Sequence, residues 1–256
     1  ADDIGWLNLP EPMNPKLPSL FLVGDSTVRN GRGDGQGGQW GWGDMLDAFF
    51  DPAKINLVNR AVGGTTARTF QSLGFWERAL MLMKPGDFLL IQFGTNDGGP
   101  INEDASVPPE RRRARGSLPG TGEETEEIDN LLTKKHEIVH TNGWYLRKIV
   151  REARAAGVTP VLCSLVPRKI WKDGKIERST TSGVWARDVA QQEGVGFIDL
   201  NALVAARYEE LGEAKVNELF ADEHTHTSRA GAEVNAGIVA AAVRKLPGDP
   251  LGTFAK

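Results

Sequence analysis

The sequence predicts an α/β protein, a three-layer α/β/α sandwich around a doubly wound parallel sheet of about five strands. Five short apolar runs carry this reading: "LFLVG" (20–24), "INLVN" (55–59), "DFLLIQFG" (87–94), "VTPVLCSLV" (158–166) and "VGFIDL" (195–200). Their near-continuous apolarity is the pattern of strands buried on both faces. Stretches of helical period separate them, as parallel strands require. With 256 residues, 40% hydrophobic and 25% charged, the chain is long enough to bury one large core, and a single domain over 1–256 is the simplest expectation.

Taken in order, the first run ends in Gly24-Asp25-Ser26, ordinary turn chemistry in isolation. The second ends in "NRAVGGTTART" (59–69) and the third in "GTNDGG" (94–99). Residues 99–142, containing "PPERRRARGSLPGTGEETEEID", carry the proline, glycine and unbroken charge of an exposed insertion. Leu146, Ile149, Val150 and Ala153 then fall at helix spacing, closed by Gly157. After the fifth strand and its helix comes "LFADEHTHTSRAGAE" (219–233), and a last helix beginning near Ser228 is expected to turn Val234, Ile238, Ala241 and Ala242 inward.

A net charge of −4 gives no reason to expect nucleic acid as a partner, and no apolar stretch is long enough to cross a bilayer. The single cysteine, Cys163, excludes an intramolecular disulfide and a cysteine-built zinc site, and reads as a small buried strand residue. The opening "ADDIGW", without Met or a basic-plus-apolar leader, fits a mature secreted or periplasmic protein or a trimmed chain.

In a doubly wound sheet, chemistry collects where loops leave the carboxyl ends of the strands. Those loops here offer a hydroxyl (Ser26), a glycine backbone (Gly64), a carboxamide (Asn96) and an acid–histidine cluster ending at His226. Acyl transfer needs such a set. A serine hydroxyl is a poor nucleophile until an imidazole takes its proton, and a carboxylate must fix that imidazole's tautomer. The tetrahedral intermediate needs donors aimed at its oxyanion, for which the Ser26 and Gly64 N–H groups and the Asn96 side chain are candidates.

These residues carry a family resemblance. The chain resembles an SGNH hydrolase, the superfamily named for Ser, Gly, Asn and His in four blocks, which match Ser26, Gly64, Asn96 and His226. More narrowly, "GDST", "AVGGTTART", "FGTNDGG" and "EHTHTSRAGAE" are similar to blocks of the rhamnogalacturonan acetylesterases, over about residues 18 to 245. The resemblance implies a flavodoxin-like sandwich, removal of O-acetyl groups from an acidic pectic polysaccharide or its oligomers, and no metal or other cofactor. The family usually places Asp three residues before the catalytic histidine, where this chain has Glu223. In an extended segment Asp222 would face away from the imidazole, so Glu223 is the expected orienting acid, with Asp222 taking the role only if the segment is tightly turned.

Other residues are weaker candidates. Trp40, Arg68, Asp97 and His140 are candidates for substrate contact, although Asp97, like Asp25, reads more naturally as an acceptor organising its loop and His140 as a surface or packing residue, while Trp40 suits buried packing at least as well as stacking on a sugar. His224 with His226 falls short of a metal site. Arg111, Arg112, Arg113 and Arg115 are usually a solvated surface, yet guanidinium pairs well with a uronate carboxylate. Arg32-Gly33-Asp34 is a tripeptide known from integrin ligands, but three residues recur by chance. Two alternatives remain open: an esterase for another acyl group (acetylated xylan, an aryl ester or a lipid), and a silent glycan-binding module, which would have no need of all four blocks.

Overall fold

The structure, a computed structural model, describes residues 5–256; residues 1–4 of the expected domain lie outside them. Its centre is an all-parallel sheet of five strands, β1 (Ser19–Gly24), β2 (Asn56–Asn59), β3 (Phe88–Gln92), β6 (Thr159–Cys163) and β9 (Gly196–Ile198), in the order β2-β1-β3-β6-β9. All five apolar runs became these strands. The order reverses between β1 and β3, so the loops after β1, β2 and β3 leave the sheet side by side at the switch point.

Side chains alternate along each strand and so build two cores. Leu20, Leu22 and Leu90 point into a layer with Trp42, Val204 and Val239; Phe21, Val23 and Ile91 point into the other with Phe70, Ile149 and Val189. The first layer holds a 3-10 helix at Trp42–Phe49 with α5 (Leu200–Leu211), α6 (Glu213–Asn217) and α7 (Arg229–Val243). The second holds α1 (Ala67–Ser72), α2 (Phe75–Leu80), α3 (Asn142–Ala155) and α4 (Ser182–Glu193). Cys163 is buried in this sheet, and burial pushes its thiol up to about 12.

Several helices start where a short polar side chain can catch a free amide. Thr66 accepts from the Thr69 N–H at 3.0 Å, Thr141 from Trp144 at 3.1 Å, Asp199 from Ala202 at 3.2 Å and Ser228 from Gly231 at 3.3 Å. In α7 the inward stripe differs from expectation. Ala232, Ala236, Val239 and Val243 are buried, while Val234, Ile238 and Ala242 are half-buried and Ala241 is exposed. The small Ala232 and Ala236 let the helix lie close against the 3-10 helix, and Ile238, Ala241 and Ala242 border a groove beside β9.

The 99–142 insertion is not structureless. It contains an antiparallel hairpin of β4 (Thr125–Asp129) and β5 (His136–His140). A second small hairpin, β7 (Trp171–Lys172) with β8 (Lys175–Ile176), follows β6.

Candidate active site

Ser26 stands on the turn that closes β1. The Asp25 carbonyl accepts from the Val28 and Arg29 amides at 3.1 and 3.2 Å, wrapping the chain into a tight turn at the strand end. Only glycine fits at position 24, because a Cβ there would lie 2.3 Å from the Gln92 carbonyl oxygen of β3. Beneath Ser26 runs a buried chain of hydrogen bonds. Asp25 Oδ1 accepts from the Thr27 amide (2.9 Å) and hydroxyl (2.7 Å), Thr27 Oγ1 accepts from Gln92 Nε2 (2.9 Å), and Gln92 Oε1 accepts from Trp42 Nε1 (2.8 Å). Burial pushes the Asp25 carboxyl up against the pull of the Thr27 donors. This chain ties the backbone beneath Ser26 to β3 and the 3-10 helix.

His226 comes from the loop between α6 and α7. Its Nε2 lies 2.9 Å from Ser26 Oγ. Its Nδ1 lies 2.5 Å from Asp222 Oδ2, which corrects the sequence expectation: the carboxylate against the ring is that of Asp222, and Glu223 is exposed with no hydrogen bond to the ring. The reason is a tight loop. Asp222 Oδ1 accepts from the amides of His224 (3.2 Å), Thr225 (2.8 Å) and His226 (2.9 Å), so one carboxylate curls the chain around itself while its other oxygen meets the imidazole. In that curl the facing of neighbouring side chains in an extended strand no longer applies. Although burial works against it, the His226 amide and ring and the Thr225 amide hold the Asp222 carboxyl down at about 2. An ionised carboxylate only accepts, so Nδ1 carries the ring proton and Nε2 is free to accept from Ser26 Oγ.

The loop is fixed from outside as well. Ala221 donates to the His226 carbonyl at 2.9 Å, Lys169 to the His224 carbonyl at 2.8 Å, and Trp40 to the Thr227 carbonyl at 2.9 Å. Thr227 Oγ1 in turn donates to the Trp40 carbonyl at 2.8 Å. Trp40, a candidate substrate platform, is half-buried between Gly35, where a Cβ would lie 2.2 Å from its ring, and the Arg229 guanidinium at 5.7 Å. Its backbone anchors the glycine-rich lip to the histidine loop.

The two remaining blocks bring donors. Gly64 adopts φ +76°, a conformation that disfavours a side chain, in the turn between β2 and α1. Neither its amide nor that of Ser26 donates to another group among the described residues. Asn96 Nδ2 gives one hydrogen to the Thr65 carbonyl at 3.0 Å, which leaves the second for an incoming oxygen. Asp97, proposed as a substrate contact, is instead buried and spends both oxygens inward. It accepts from Ala67 N (3.0 Å), Gly94 N (2.9 Å) and Asn142 Nδ2 (2.9 Å), tying the β3 loop to α1 and α3. Burial, with help from the nearby Asp25 carboxyl, pushes Asp97 up to about 7.

Arg68 and His140 are likewise corrected. Arg68 is fully buried, paired through Nε and Nη2 with both oxygens of Glu137 (2.7 and 2.8 Å) and donating to the carbonyls of Ile101 and Gly116. It pins the insertion onto α1 and has no face left for substrate. His140 stacks on Trp144 with ring centroids 3.6 Å apart and edge-on to Tyr145; it is a packing residue of the insertion. Of the arginine run, Arg112 is bound to the Ala105 and Val107 carbonyls and Arg113 to those of Glu110 and Arg112. Only Arg115 reaches the donor set, at 3.3 Å from the Gly64 carbonyl. Sequence reasoning passed over Arg168, whose Nη2 lies 3.1 Å from the Thr95 carbonyl, next to Asn96. It stands in the loop after the fourth strand of the sheet, where the rule that found the other blocks would have picked it out.

A serine hydroxyl relayed through imidazole to carboxylate, with unspent N–H donors on neighbouring loops at the carboxyl ends of a doubly wound sheet, is the equipment of a serine ester hydrolase. The profile of the GDSL-like Lipase/Acylhydrolase family matches residues 22–234, and the chain belongs to this family. It is a carboxylic ester hydrolase. It is 29% identical over 217 residues to the rhamnogalacturonan acetylesterase of Emericella nidulans, covering 84% of this chain and 80% of that one. It is 30% identical over 233 residues to the "Probable rhamnogalacturonan acetylesterase YesY" of Bacillus subtilis, covering 89% and 93%. Among solved structures, protein YxiM of Bacillus subtilis superposes with a TM-score of 0.68 at 24% identity, over 90% of this chain and 57% of that longer one. Axe2, an acetylxylan esterase from Geobacillus stearothermophilus, shares the fold with a TM-score of 0.53 at 20% identity, over 92% of this chain and 94% of its own.

Proposed function

We propose that the protein is a serine acetylesterase that removes O-acetyl groups from an acidic pectic polysaccharide, rhamnogalacturonan or its oligomers, outside the cytoplasm where such a polymer is accessible. The observation that carries the reading is the continuous relay Ser26–His226–Asp222, at 2.9 and 2.5 Å, beside three unspent donors. The names of the curated relatives support the acetyl group and the pectic backbone.

In this reading Ser26 Oγ attacks the acetyl carbonyl carbon as Nε2 of His226 takes its proton. Asp222 stabilises the imidazolium that forms. The carbonyl oxygen becomes an oxyanion held by the Ser26 and Gly64 amides and the Asn96 side chain, each donor worth about 3 kcal/mol in the transition state. His226 returns the proton to the sugar oxygen as the C–O bond breaks, leaving an acetyl-serine and a free hydroxyl. Water, activated by the same imidazole, then hydrolyses the acetyl-serine to acetate.

One observation favours a second reading. A hollow of about 610 Å³ on the Gly64 side is lined by Val62, Leu73, Phe75 and Leu132, and suits an aryl or longer acyl ester. The test is acetate release from acetylated pectin, xylan and mannan, set beside p-nitrophenyl esters of increasing chain length. The proposal expects acetylated pectin to lead the polymers and acetate to lead the acyl series. A preference for longer acyl chains, with no release from pectin, would establish the second reading instead.

A further inference from the structure

Beside Asn96 lies a second hollow, of about 510 Å³, whose lining differs in kind from the apolar one. It is bordered by the oxyanion loop (Gly94–Asn96, Gly98, Gly99), by Arg115 from the insertion, by Arg168 after β6, and by residues 177–182 leading into α4. Three arginines line it. Arg178 is already neutralised by an ion pair with Glu209, which also accepts from the Ile176 amide. Arg115 and Arg168 make no ion pair with any carboxylate among the described residues.

Their anchoring is informative. Arg168 donates through one nitrogen to the Thr95 carbonyl and Arg115 through one to the Gly64 carbonyl, so each guanidinium is held against an oxyanion loop with most of its donors unspent. Arg115 Nε is buried and has no hydrogen-bond partner. Two positive groups sharing one hollow repel each other, and a bound anion relieves that repulsion while accepting from both. Glu177 is the one carboxylate in the lining, and it is exposed.

We infer that Arg115 and Arg168 form a carboxylate subsite beside the oxyanion hole that binds a hexuronate carboxylate of the acetylated polysaccharide. The inference rests on the proposed polysaccharide substrate and names the residues that read its charge. A carboxylate seated there bridges the loops that carry Gly64 and Asn96, so substrate binding also braces the oxyanion donors. Position matters here: Arg112 and Arg113 are spent on carbonyls of their own loop, and two residues far apart in sequence do the reading.

The experiment compares kcat/KM for acetate release from an acetylated pectic oligosaccharide with free carboxylates, from the same material after methyl esterification, and from a neutral acetylated mannan oligosaccharide. An acetylated glucuronoxylan fragment serves as a second acidic source. The enzyme is expected to prefer the free acid over its methyl ester by about tenfold or more. In Arg168→Gln and in Arg115→Gln that ratio should fall towards one, with Arg168→Lys keeping part of it and Glu177→Gln raising it. Reading the ratio cancels any general loss from a disturbed oxyanion loop. A ratio that stays at the wild-type value in both Gln variants, or a wild-type ratio of one with pectic acetate still released, overturns the subsite and leaves the proposed function standing. Release from neutral glycans alone overturns both. Equal charge preference on glucuronoxylan assigns the subsite to hexuronates in general, and preference for the pectic acid alone narrows it to that backbone.

Discussion

The nucleophile loop (Gly24–Arg29) and the histidine loop (Leu219–Ser228) face each other across 2.9 Å, yet they are built on opposite principles. The first continues a central strand, with Ser26 only 9% exposed over a buried chain from Asp25 to Trp42. Its geometry is inherited from the sheet. The second is a half-exposed excursion before α7, shaped by one carboxylate that gathers three successive amides and the ring. In the proposed reaction the sheet therefore sets where attack occurs, and Asp222 sets both the shape of the loop and the orientation of the imidazole.

The largest expected effect lies at the point where the loops meet. Ser26→Ala removes the attacking oxygen and little volume, so turnover of an acetyl ester should fall about 10⁴-fold or more with the melting temperature nearly unchanged. A rate close to wild type would remove Ser26 from the reaction.

Next comes the acid of the histidine loop. Asp222→Asn should lower kcat by about 10²- to 10⁴-fold, affecting KM less, because the imidazolium it stabilises exists only along the reaction path. Glu223→Gln should stay within about twofold of wild type, since a lone surface substitution seldom costs more than about 0.5 kcal/mol. The reverse ranking, measured on one acetyl ester, would return the role to Glu223.

The nucleophile loop can be tested from below. Thr27→Val deletes the hydroxyl that joins Asp25 to Gln92 and leaves buried groups without partners, at a cost of about 1–3 kcal/mol of stability. Denaturant midpoints should show this loss. No change would mean that the buried chain does not hold the loop.

The smallest effect distinguishes the loops by pH. Asp222 is held at about 2, below its ordinary value of 3.8, so the stability it contributes is complete above about pH 4 and disappears as the pH falls towards 2. Melting temperature followed from pH 5 to 2 should therefore drop less steeply in Asp222→Asn than in wild type. Parallel curves would place the acid sensitivity elsewhere.

What could be read from the chain follows from how locally each feature is determined. The five apolar runs specify strands, because burial on both faces demands near-continuous apolarity and a short run can satisfy it alone. Ser26, Gly64 and Asn96 were legible because they lie in the loops that leave those strands, and the crossing point of the sheet brings strand ends together whatever the intervening helices contain. The hairpin within 99–142 was not legible, since its charged alternation fits an exposed loop equally well.

The choice between Asp222 and Glu223 belonged to tertiary structure. Sequence spacing assumes a backbone direction, and the backbone here was turned by hydrogen bonds to the very carboxylate in question, then locked by Trp40 and Lys169 from distant parts of the chain. Arg68 shows the same limit from another side. The sequence offers it as a candidate substrate contact, and only the folded insertion, bringing Glu137 and the Gly116 carbonyl onto it, made it a buried tie. A residue type states what a side chain can do; what surrounds it after folding decides whether those capacities are spent inward or left for a ligand.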